Sequence, residues 1–209
     1  MKVEFQQPFS FAAIILAAGV SARMGQPKML LPWGTTTIFG HLMSQWQQIG
    51  AAQVAAVCGA SDEALEAELD RIHFPRRQRI MNPEPARGMF SSVQCAARWP
   101  YWNPSLTHWA IVLGDQPQLA ESTVRSVAAF AADNPDAICQ PGRAGRPRHP
   151  VFLSRRGFQA LASANHQTLK EFLAEHASEM RVMEINDPAL DFDIDTPADY
   201  DEARRRFPT

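Results

Sequence analysis

The sequence is poor in the features that would hold a fold together from outside its own core. Only three of its 209 residues are cysteines, Cys58, Cys95 and Cys139. They are odd in number, far apart and without Cys-x-x-Cys or paired-histidine spacing, which excludes a disulfide framework or a structural zinc site as the organising device. No apolar run approaches the roughly 18 residues of a bilayer-spanning helix, so no membrane partner is expected. Neither sign of charge dominates: 20 Lys and Arg face 22 Asp and Glu, leaving a net charge of -2. A general nucleic-acid binder would be broadly basic, so no nucleic-acid partner is expected either. The first ten residues carry one lysine and no long apolar stretch, unlike a secretory signal or an Arg-rich transit peptide. A cytoplasmic location is the resulting expectation, with 1–10 an N-terminal extension and 11–209 a single domain.

What is present is globular. Hydrophobic residues at 45% and charged residues at 20% are ordinary for a packed α/β chain of this length. Apolar runs at 11–16, 53–58, 79–81, 109–113, 137–140, 151–153 and 180–185 read as strands. Helical patterns fall at 37–49, 61–73, 91–99, 121–133, 155–162, 168–176 and 196–206. Their alternation predicts an α/β, three-layer, Rossmann-like fold: a mostly parallel central sheet with helices on both faces. Ser61 and Asp62 are placed to start the second helix, and Ser91 or Ser92 to cap the third.

Chemistry starts at the first strand's end, in Leu16-Ala-Ala-Gly-Val-Ser-Ala-Arg-Met-Gly-Gln-Pro-Lys28. Gly19 and Gly25 allow positive φ and close approach of a ligand, while Ser21, Arg23 and Lys28 add a hydroxyl and two cations. Such a loop makes a phosphate cradle. It is neither a Walker A loop, since Gly25 is followed by Gln-Pro-Lys, nor a Gly-x-Gly-x-x-Gly turn. Asp115 follows an apolar strand directly, at the edge where open parallel sheets collect ligands. Asp193 and Asp195 alternate on an extended segment and share a face, an arrangement that suits a hard divalent cation or plain solvent. Thr196, Pro197 and Asp199 cap the last helix. Asn82 opens a two-proline loop. Residues 141–150 are rich in Gly, Pro and Arg and read as a mobile loop. They form one of three basic clusters, the others being Arg71 to Arg79 and Arg204 to Arg206, and such a cluster can focus an anion onto a cleft.

The run from Leu16 to Pro32 resembles the signature loop of the nucleotidyltransferases that attach a nucleotide to the molybdenum cofactor. It is closer to the cytidylyltransferase branch, because the guanylyltransferase branch usually reads Leu-Ala-Gly-Gly and lacks the proline before the lysine. The resemblance implies transfer of CMP from CTP to the cofactor's terminal phosphate with Mg²⁺ or Mn²⁺ held by Asp115 and Asp195. It implies catalytic roles for Arg23, Lys28 and Asp115, with Arg23 on the β- and γ-phosphates and Lys28 near the α-phosphate. The nucleotide site would comprise Leu16, Ala17, Ala18, Gly19, Ser21, Arg23, Lys28, Asn82, Gly88, Ser91 and Ser92. Arg146, Arg148 and His149 would meet the acceptor, although relatives usually carry glycine where Arg148 stands. A molybdoenzyme would receive the product. The alternatives are guanylyl transfer to the same acceptor, a sugar or polyol phosphate nucleotidyltransferase, and a non-catalytic carrier of the molybdenum cofactor.

Overall fold

The computed structural model describes residues 8–19, 21–60 and 62–207. The expectations placed on 1–7 and on Ser61 lie outside the described residues. The strands are β1 (Phe11–Leu16), β2 (Pro32–Trp33), β3 (Thr36–Thr37), β4 (Gln53–Gly59), β5 (Arg79–Asn82), β6 (His108–Leu113), β7 (Ile138–Arg143), β8 (Arg146–Pro147), β9 (Val151–Ser154) and β10 (Met180–Glu184). The helices are α1 (Ile38–Ile49), α2 (Glu63–Arg71), α3 (Met89–Arg98), α4 (Glu121–Ala132), α5 (Arg155–Leu161), α6 (Leu169–Glu175) and α7 (Pro197–Arg206).

The main sheet runs in the order β10-β7-β9-β6-β1-β4-β5, with β8 paired to β7. It is parallel except at β9, which is antiparallel to both β6 and β7, and at the hairpin strand β8. Strand period two divides the side chains between two cores. Ala13, Ile15, Ala56, Val112 and Phe152 face one side with residues of α1, α2, α4 and α7. Ala12, Ile14, Val57, Ile111 and Leu153 face the other with α3, α5 and α6. Both faces are covered, which is why β1, β4 and β6 read as unbroken apolar runs rather than alternating ones. Each fully buried Ile or Leu contributes about 2 kcal/mol.

Local chemistry sets the helix ends. Thr37 caps α1, its hydroxyl accepting from Gly40 N at 3.1 Å, and Gly50 closes the helix at φ 103°. Asp62 caps α2 through Leu65 N. Thr196 and Asp199 form a reciprocal capping box at α7, with Pro197 at the first helical position.

Two local expectations are corrected. The cap of α3 is Gly88, at φ 92°, while Ser91 and Ser92 lie buried inside the first turn. Residues 141–148 are not a plain loop but a β-hairpin, in which Arg143 pairs with Arg146. Ala144 and Gly145 both take positive φ, 52° and 71°, as a two-residue hairpin turn requires. Arg148 is not among the positive-φ residues, so its replacement of a glycine meets no backbone obstacle here.

Candidate functional site

The carboxyl ends of β1 and β6 open into a cavity of about 250 Å³, lined by the loop after β1, by Gly114 and Asp115, and by Asp195. Leu16 and Ala17 line its floor, and Ala17 N still bonds to Val57 O at 2.9 Å, extending the ladder one residue past β1. The loop folds back on itself. Ser21 Oγ accepts from Lys28 N at 3.1 Å, and Ser21 O accepts from Met24 N at 3.0 Å. Ser21 itself takes φ 47° and Gly25 φ 71°. Gly19 does not take positive φ, and a Cβ there would meet nothing within 4 Å. Its missing side chain instead leaves room for a ligand. At Gly114 a Cβ would lie 2.6 Å from Met29 Sδ and 2.9 Å from Leu16 O, so only glycine lets β6 end this close to the loop.

Cations and acids meet across this cavity. Lys28 Nζ lies 3.2 Å from Asp195 Oδ1 and 3.6 Å from Asp115 Oδ2, with only 13% of the lysine side chain exposed. Arg23 reaches Asp195 Oδ2 at 2.9 Å from the rim, where it is 71% exposed. Burial pushes the Asp115 carboxyl above its ordinary pKa. Lys28 pulls it back, and Asp193 and Asp195 add to the rise. Asp115 Oδ1 is buried without a hydrogen-bond partner.

These donors fit a hard divalent cation. They are carboxylate oxygens, one of them unpartnered, beside a cavity of about 250 Å³. Among the described residues no three His, Cys, Asp or Glu side chains gather to hold a metal alone. Mg²⁺ and similar ions are commonly held by one or two carboxylates together with substrate phosphates, which is the set this site could offer.

A second cavity of about 320 Å³ shares Gly19 and Ser21 with the first and is walled by Ala18, Gly59, Pro83 and Pro85. Asn82, Ser91 and Ser92 stand behind the proline wall as a closed hub. Asn82 Nδ2 donates to Ser91 Oγ at 2.8 Å and Ser92 Oγ at 2.9 Å, and its Oδ1 accepts from Glu84 N at 2.9 Å. Ser91 Oγ donates on to Gly88 O at 2.8 Å. The hub and Gly88 therefore shape the turn, and none of the four lines either cavity.

The expected acceptor residues do not line the first cavity. Arg146 is exposed on the hairpin. Arg148 donates to Asp191 Oδ1 from Nε at 2.7 Å, and Arg143 pairs with the same carboxylate. Those two partners, Arg148 first, hold Asp191 below the usual carboxylate range. His149 is half-buried, with Nδ1 enclosed and unpartnered. Burial pushes its pKa down to about 4 against the pull of the Ile111 backbone and Asp193, so it is neutral at neutral pH.

Sequence reasoning missed Gln116, which donates to Asp193 Oδ1 at 2.8 Å, and the role of Met29 against Gly114. An uncharged amide and a buried methionine carry no pattern that could have singled them out.

The family model described as a MobA-like NTP transferase domain matches residues 13–180. The chain is 30% identical to molybdenum cofactor cytidylyltransferase of Escherichia coli, over 93% of this chain and 95% of that one. It is also 30% identical to molybdenum cofactor guanylyltransferase of Rhizobium johnstonii, over 93% and 91%. Rv0371c of Mycobacterium tuberculosis superposes with a TM-score of 0.73 at 27% identity, covering 95% of this chain and 98% of that one. A structure of that protein in complex with manganese gives 0.68 at 26% identity, over 93% and 97%.

Proposed function

The chain belongs to the MobA-like NTP transferase family, and from that premise we propose that it transfers CMP from CTP to the terminal phosphate of molybdenum cofactor and releases pyrophosphate. The observation that carries this reading is the meeting of Lys28 and Arg23 with Asp115 and Asp195 around one cavity. A triphosphate needs fixed cations, and two acids among them have use for a divalent ion.

In the reaction an acceptor phosphate oxygen forms a bond to the α-phosphorus of CTP. The bond from that phosphorus to the β-phosphate oxygen breaks, and its electron pair leaves with pyrophosphate. No covalent enzyme intermediate is required, because positioning and electrostatic stabilisation can supply most of the acceleration. Lys28, largely enclosed, is suited to the α-phosphate, where charge accumulates. Arg23, at the rim, is suited to the β- and γ-phosphates. Bound Mg²⁺ or Mn²⁺, held by Asp115 and Asp195, would neutralise charge on the triphosphate. The small side chains of Ala17, Ala18 and Gly19 leave the loop backbone open to the nucleotide. Asn82, Gly88, Ser91 and Ser92 act in this reading by holding the proline wall beside the base. Arg146, Arg148 and His149 receive the acceptor at the far side of Asp193.

Cytidine is favoured by Ala17-Ala18-Gly19 and by Pro27 before Lys28. The guanylyl reading has its own support in the equal identity to a guanylyltransferase. No helix among the described residues is long and apolar enough to cross a membrane, and the proposed setting is the cytoplasm, with a molybdoenzyme as recipient of the product. Pyrophosphate release measured with CTP, GTP, ATP and UTP, with and without molybdenum cofactor, tests the proposal. Release with CTP only when the cofactor is present supports it. Release with GTP alone moves the chain to the other branch, and no release with any nucleotide removes the proposed reaction.

A further inference from the structure

The acids of the site come from two segments far apart in the chain, 114–118 and 189–195, which share no strand ladder. Their cross-links include one backbone bond, Ile194 N to Asp115 O at 2.9 Å, and two glutamines. Gln116 Nε2 donates to Asp193 Oδ1 at 2.8 Å. Gln118 Nε2 donates to Phe192 O at 2.5 Å and to Ala189 O at 3.2 Å. The glutamines are only 5% and 7% exposed, so water competes little for these bonds.

We propose that Gln116 and Gln118 are positioning residues that set the separation of Asp115 and Asp195, and through it the affinity for the divalent cation. The inference rests on the metal-dependent reading above. Asp193 and Asp195 both disfavour the charge on Asp115 here, so bringing the two segments together has an electrostatic cost. Lys28 already bridges Asp115 and Asp195 with a charge, and a neutral donor ties the segments without adding a second cation. A Glu at either position would add a further anion, and a Lys or Arg would compete with the cation. Glutamine supplies the N–H groups alone. Both residues also leave their own Oε1 buried and unpartnered, a cost in itself, which points to the Nε2 bonds as what each amide contributes.

The test is Mn²⁺ affinity, read by electron paramagnetic resonance on the whole chain with a non-transferable CTP analogue, alongside Tm. Gln94 serves as control, because it is equally buried and its Nε2 bonds to Ala164 O at 2.8 Å, outside both acid-bearing segments. Gln116→Met and Gln118→Met are expected to weaken Mn²⁺ binding about ten-fold or more, the scale on which ligand-orienting partners act. Gln94→Met should lower Tm with wild-type Mn²⁺ affinity. Asp193→Ala breaks the Gln116 link from its other side, with Asp193→Asn as charge control because it keeps an acceptor for Gln116 Nε2; Asp193→Ala should lose affinity beyond Asp193→Asn even where a glutamine variant fails to fold. Adding Gln116→Met to Asp193→Ala should cost nothing more, since the two act as one unit. Wild-type affinity in Gln116→Met, equal affinity in Asp193→Ala and Asp193→Asn, or equal weakening in Gln94→Met overturns the inference while leaving the proposed function standing. No Mn²⁺ binding by the wild type with the nucleotide analogue removes the metal reading, and the inference with it.

Discussion

Lys28 Nζ lies 3.2 Å from Asp195 Oδ1 across a sequence separation of 167 residues. This contact closes the site, because it joins the first glycine loop of the chain to the segment before its last helix. The lysine holds two anions together, and in the proposed reaction it also offers its charge to a third, the triphosphate.

Replacing Lys28 should therefore act in two directions. Lys28→Met removes one fixed cation from the transferring phosphoryl group, and turnover should fall about 100-fold or more. It also removes the positive charge that competes for Asp115 and Asp195, so Mn²⁺ affinity measured without nucleotide should rise. Steady-state rates and a paramagnetic titration of the same preparation check both parts.

Asp115→Asn keeps the shape of the side chain but removes its charge. Turnover should drop about 1,000-fold. Stability should hold or rise slightly, because the buried carboxylate has an unpartnered oxygen and is disfavoured by burial and by two neighbouring acids. Near-normal turnover with unchanged thermal unfolding would take Asp115 out of the chemistry.

Gly114→Ala tests packing rather than charge. The new methyl would meet Met29 Sδ at 2.6 Å and Leu16 O at 2.9 Å. The sulfur can move, but the backbone oxygen belongs to the cradle. A loss of about 1–3 kcal/mol in urea unfolding is expected, together with lower activity. Shortening Met29 as well should recover only part of it.

His108 gives a pH dependence away from the site. It is buried at the start of β6, with Nδ1 at 2.9 Å from Thr107 Oγ1, and burial pushes its pKa down to about 4 against the Pro135 backbone and Asp136. The folded protein holds this histidine neutral while the unfolded chain protonates it near its ordinary pKa of about 6.5. Its contribution is thus intact above that value and declines as pH falls toward the folded-state value, by about 2 kcal/mol between about pH 7 and about pH 5. The urea midpoints at the two pH values should lie closer together in His108→Gln than in the wild type, the remaining acid-side loss being carried by His149, whose pKa burial also lowers to about 4.

The architecture was readable because strands buried on both faces leave continuous apolar runs, and β1, β4 and β6 are such runs. Direction was not readable: nothing in the four residues of β9 says that it runs antiparallel. The hairpin at 141–148 was hidden by composition, since Gly, Pro and Arg suggest a loop while Ala144-Gly145 makes the turn. Asp115, Asp195, Arg23 and Lys28 stood out as charges at strand ends and in a glycine loop. Asn82, Ser91 and Ser92 read as ligand contacts in the sequence, but Asn82 Nδ2 bonds both hydroxyls and the other bonds of the three go to Glu84 and Gly88. Gln116 and Gln118 were silent because their importance lies in what they tie together, a property of distance that no local pattern records.

The most direct measurement follows the α-phosphorus. The chain is incubated with α-phosphate-labelled CTP, molybdenum cofactor and Mg²⁺, and the labelled species are separated. The label is expected in a cytidine dinucleotide form of the cofactor, with one pyrophosphate released per label transferred and none after chelation of the metal. Label remaining in CTP, or appearing only as free CMP, would contradict it.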